Sequence, residues 1–83
     1  MPDPDRQLAQ RQAFGARLRA LRAKAELSQE ELAHAADLDR TYVNAVENGR
    51  RNLSLHAMWQ FADALSVTPE AFFRVDLATA AES

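Results

Sequence analysis

The chain has 83 residues, 47% of them hydrophobic, and no cysteine: enough for one domain with a modest core, without a disulfide or thiolate metal ligand to stabilise it. No apolar run reaches the roughly 18 residues that span a bilayer, and the acidic start MPDPDRQ is unlike a secretory signal, so a cytoplasmic protein with no membrane partner is expected. The formal net charge of -2 argues against nucleic acid only as an average, because residues 6 to 51 hold nine Lys or Arg against six Asp or Glu while residues 52 to 83 hold one against four; phosphate neutralisation needs a local basic face, not a basic protein.

In chain order, residues 1–9 carry two prolines and no steady apolar period, which predicts a flexible N-terminal arm. From about Gln10 to Ala25, Phe14, Leu18 and Leu21 recur at helical spacing, with Arg17, Arg19, Arg22 and Lys24 on other faces, predicting an amphipathic first helix. Ser28 followed by Gln29, Glu30 and Glu31 matches a capping box, so a second helix begins at Gln29 and carries Leu32, Ala33 and Ala36. It stops near Asp37-Leu38, where aspartate tolerates a left-handed backbone. Asp39 then caps a third helix from Arg40 to about Asn48, with Val43 and Val46 inward and Asn48-Gly49 ending it. Ser54 caps a fourth helix with Leu55, Met58, Phe61, Ala62 and Leu65 at helical spacing, and Thr68-Pro69-Glu70 opens a short fifth helix through Phe72 and Phe73.

The twenty residues from Gln29 to Asn48 read as two helices joined by a tight turn. Helices crossing at about 90–120° must approach closely, which explains the small Ala33 and the apolar Leu32, Ala36, Leu38, Val43 and Val46. With Leu38-Asp39-Arg40-Thr41-Tyr42, Val46-Glu47 and Arg51-Asn52-Leu53-Ser54, this stretch resembles the Cro/repressor-type (XRE) helix-turn-helix family over roughly residues 10–75. Within that family it looks most like the controller proteins of restriction-modification systems. The resemblance implies an all-α, compact five-helix domain over residues 10–75, followed by a flexible tail over 76–83. It also implies a homodimer on double-stranded DNA at inverted-repeat operators, and a structural ion pair between Arg22 and Glu47. The chain departs from the family pattern at Asp37, Glu26 and Ser66, positions where glycine is common.

On a helical wheel with Val43 and Val46 buried, Thr41, Asn44, Ala45 and Asn48 point away from the core, with Arg40 and Tyr42 flanking the helix start. In this docking geometry the first turn of the second motif helix reads base edges, and arginine donates two bonds to guanine. Arg40, Thr41 and Asn44 are therefore the expected base-reading residues. Ser28 and Gln29, Tyr42, and the group Arg50, Arg51, Asn52 and Ser54 are the expected contacts to the DNA backbone. Each has a plainer reading: solvated surface for the arginines, and cover for the core edge for the Tyr42 ring.

Trp59, Val67, Phe72, Phe73 and Leu77 are the candidate dimer contacts, with core packing as the alternative. His34 and His56 are isolated, and nothing in the chain has catalytic or metal-ligand spacing, so neither enzyme activity nor a cofactor is expected. An operator overlapping a promoter would make such a protein a repressor, and contact with RNA polymerase an activator. An antitoxin-type module that binds a partner toxin is the alternative, made less attractive by the short stretch after Asp76.

Overall fold

Asp3, Pro4 and Asp5 start the first helix. The Asp3 side chain accepts from the Asp5 backbone N–H at 3.0 Å, Pro4 occupies the first helical position, and Asp5 lies in the acidic first turn. These are ordinary N-terminal helix signals, and from Pro4 onward they correct the reading of an arm. The computed structural model describes residues 3–74, where the helices are α1 (Pro4–Lys24), α2 (Gln29–Ala36), α3 (Arg40–Glu47) and α4 (Leu55–Leu65), with a 3₁₀ segment at Pro69–Phe73. The expected tail at 76–83, and Leu77 with it, lies outside the described residues.

The all-α class stands, with four α-helices and a 3₁₀ turn in place of five helices. The last segment is only five residues long, and an α-helix of that length closes too few bonds to offset its nucleation cost. Thr68 makes no side-chain cap; its carbonyl instead accepts from Ala71 N–H at 2.9 Å in an i to i+3 bond.

All four α-helices end in the same way. A backbone N–H just past the cap, by two residues in α1 and α3 and by one in α2 and α4, reaches back to close a six-to-one bond: Leu27 to Arg22 (3.1 Å), Leu38 to Ala33 (2.9 Å), Arg50 to Ala45 (2.9 Å) and Val67 to Ala62 (2.9 Å). The intervening residue takes a left-handed backbone, at Glu26 (φ 60), Asp37 (φ 56), Gly49 (φ 71) and Ser66 (φ 56). These are Schellman ends, and three of them use a side chain where glycine is the unstrained choice, at about 1 kcal/mol each. Leu27, Leu38 and Val67 then pack on the core, which offsets that strain at the same three ends.

The core is built around the fully buried Leu18, Leu32, Val43, Val46 and Phe61. Burial of each such side chain contributes about 1.5–3 kcal/mol. α3 packs against both α1 and α2, and α4 against α2, so α3 is held on its inner side only. Phe72 closes the open end of the core, its ring 5.0 Å from that of Phe14, and the Arg17 Nε donates to the Ala71 carbonyl at 2.7 Å.

Candidate nucleic-acid interface

α3 divides its residues sharply. Val43, Val46 and Glu47 are buried, while Thr41, Asn44 and Asn48 are exposed on the other side and Arg40 is exposed at the flank of the helix start. Asp39 holds the extended cap backbone at the start, but its side chain makes no cap bond. Arg40 is therefore the first residue of the helix and stands clear of the core. The three expected base readers, Arg40, Thr41 and Asn44, are all exposed in the first turns of α3.

The inner side of α3 is fixed by a charge. The Glu47 side chain has no exposed surface, yet it holds Arg22 through Nε to Oε2 at 2.6 Å and Nη2 to Oε1 at 3.0 Å. Arg22 also donates to the Leu27 carbonyl at 2.8 Å, and Arg19 reaches Glu47 Oε1 at 3.5 Å. Burial alone pushes the Glu47 carboxyl up. Hydrogen bonds from Arg22, Gln29 and Arg19, with the Arg22 charge, outweigh burial and hold it below the ordinary value of 4.5. The same bond to Glu47 raises Arg22.

Gly15 sets the spacing between α1 and α3. A Cβ there would collide with the backbone carbonyl of Val46 and lie 2.5 Å from the Glu47 carbonyl oxygen. Only glycine lets the two backbones approach this closely. Arg11 adds a clamp beside it, donating from Nε to the Gly49 carbonyl at 3.0 Å. Neither residue was among the sequence candidates. A glycine inside an amphipathic helix, costly by about 1 kcal/mol against alanine, was the available signal for Gly15.

The expected backbone contacts fall into distinct settings. Ser28 and Glu31 form the complete capping box, with Glu31 N–H donating to Ser28 Oγ at 3.0 Å and Ser28 N–H donating to Glu31 Oε1 at 2.9 Å. That bond from Ser28 holds the Glu31 carboxyl below its ordinary value. The Ser28 N–H is thus already partnered, and its hydroxyl hydrogen is the group it has left for a phosphate. Ser54 is alike, its Oγ accepting from Ala57 N–H at 3.0 Å. Gln29 is drawn inward: its Nε2 donates to Glu47 Oε1 at 3.0 Å, and its Oε1 accepts from Asn44 Nδ2 at 3.2 Å.

Tyr42 is half-buried against the core, its ring stacked 6.3 Å from Phe61 at 10°. The Arg51 guanidinium sits 5.5 Å above that ring. Tyr42 therefore covers the core edge and links it to a cation. Arg50, Arg51, Asn52 and Ser54 are all exposed in the link and cap that follow α3.

The candidate dimer contacts separate too. Trp59 is 51% and Phe73 63% exposed, whereas Phe72 is 3% exposed and belongs to the core, and Val67 is half-buried against it. Leu55, one of the apolar residues at helical spacing in α4, is 70% exposed, one turn before Trp59. The broad apolar face of α4 has more width than one core can cover.

Residues 13–72 match the family model described as a helix-turn-helix domain. Control protein C.MunI of a Mycoplasma species is 44% identical over 61 residues, covering 72% of this chain and 82% of the relative. Control protein C.BamHI of Bacillus amyloliquefaciens is 43% identical over 58 residues, covering 69% and 72%. The crystal structure of the restriction-modification controller protein C.AhdI from Aeromonas hydrophila superposes with a TM-score of 0.77 at 48% identity, over 78% of this chain and 98% of that one. The chain belongs to the helix-turn-helix family. Within it, this is a DNA-binding regulator of the restriction-modification controller type.

Proposed function

We propose that the protein acts as a homodimer on an inverted-repeat operator, each copy laying α3 in a major groove. Arg40 donates to guanine O6 and N7, while Thr41 and Asn44 meet neighbouring base edges. Arg50, Arg51, Asn52 and the hydroxyls of Ser28 and Ser54 hold phosphates on either side and set the register. The carrying observation is the outer face of α3: its polar residues are exposed while its inner face is buried against α1 and α2.

Support for self-association comes from the exposed Leu55, Trp59 and Phe73. Large apolar side chains on so small a domain suit a second copy of the same surface. Two copies related by a two-fold axis would present their α3 helices to half-sites about 34–36 Å apart, or at another spacing set by the dimer. An operator across a promoter represses, and one that brings the dimer beside RNA polymerase activates.

Selection of bound sequences from random duplex DNA tests the reading. An inverted repeat with a guanine in each half-site is the expected product. Enrichment of an unrepeated site, or of no site, contradicts it.

A further inference from the structure

The hydrogen bonds around Glu47 do more than hold α1 to α3, because they have a direction that runs to the surface. The Glu47 carboxylate is fully enclosed and can only accept. Gln29 must therefore turn its NH2 group toward Glu47, as the 3.0 Å contact shows. The amide is planar, so its oxygen then faces away from Glu47, toward Asn44 about one turn earlier on α3. That oxygen requires a donor, and Asn44 supplies Nδ2 at 3.2 Å.

We propose that Gln29 is a positioning residue that fixes which end of the Asn44 amide is offered to DNA, and so fixes the base Asn44 prefers. With one N–H committed to Gln29, Asn44 keeps its Oδ1 acceptor and its second N–H for an outside partner. Adenine presents a matching pair in the major groove, an N6 donor beside an N7 acceptor, whereas guanine presents two acceptors there. A flipped Asn44 amide would set oxygen against oxygen at Gln29. The buried ion pair thereby selects adenine over guanine at a base it never touches. This inference rests on the proposed reading role of Asn44.

Two substitutions at Gln29 separate positioning from mere support. Gln29→Met keeps the length but removes both bonds. Gln29→Lys keeps a donor for Glu47 but offers no acceptor to Asn44, which must then turn its oxygen inward and its NH2 outward. Sequence selection with the wild type, both Gln29 variants, Asn44→Ala and Arg40→Ala gives the readout, with thermal unfolding of each variant as the check on folding.

Asn44→Ala is expected to lower the adenine preference at one position per half-site by about tenfold, within the range of a two-bond contact. Gln29→Met flattens that position to a similar degree, and Gln29→Lys moves it toward guanine, both without altering the guanine read by Arg40. Retention of adenine by both folded Gln29 variants overturns the proposal, as does a loss spread evenly over all positions. If Asn44→Ala changes no position while Arg40→Ala does, the proposal fails and the helix-turn-helix reading stands. If the wild type selects nothing, both fail.

Discussion

The two faces of α3 are only a helix diameter apart and obey opposite rules. On the inner face every group is matched to a partner in the same chain: Val43 and Val46 to the core, Glu47 to Arg22, Arg19 and Gln29. On the outer face Arg40 and Thr41 stand exposed, and Asn44 is tied inward only by its single bond to Gln29. A residue committed to folding cannot vary without cost, whereas a residue left to solvent is free to suit an external ligand. The difference shows how eight residues can form a structural wedge on one side and leave the other side open to a ligand.

The comparison breaks most visibly at the buried charge. Arg22→Met should cost about 3–5 kcal/mol at neutral pH, because it leaves the enclosed Glu47 carboxylate without its main partner. In the wild type the Glu47 carboxyl lies below its ordinary value of 4.5, so its contribution is present above that value and is lost as pH falls through the folded value. In the variant burial dominates and acid no longer costs stability through this group. Urea unfolding across pH should thus show the gap between the two proteins widest near neutrality and shrinking toward acid. A gap independent of pH would separate Glu47 from the effect.

A smaller loss is expected from Gly15→Ala. The added methyl meets backbone rather than a movable side chain, so α1 and α3 must part, at a cost of about 1–3 kcal/mol. DNA affinity should fall with it, since the displaced element is the one proposed to read. An unfolding midpoint equal to that of the wild type would show that the contact yields freely.

Much of this architecture was legible because it is written locally. Ser28 and Glu31 lie within one turn, and so do Asn48 and Gly49; their capping behaviour depends on residues within a few positions. The same signals at Asp3-Pro4-Asp5 were obscured by the absence of an apolar period, yet they open a helix whose first turns face solvent. Contacts between distant segments were harder to see. Gly15 meets Glu47 across 32 residues of sequence and Gln29 meets it across 18, and no local preference records either. The exposure of Leu55 was hidden for a related reason: helical spacing identifies an apolar face, but not which part of that face the neighbouring helix covers.

The outer face should give the smallest effect on stability and the most specific effect on binding. The central claim is that α3 reads DNA with residues its own fold does not need. Paired measurement of the unfolding midpoint and of affinity for the selected site, in the wild type and Arg40→Ala, tests it most directly. An unchanged midpoint with binding weakened by about 1–3 kcal/mol at one guanine per half-site is the expected result. Retention of that guanine preference, or a fall in the midpoint that accounts for the lost binding, would contradict it.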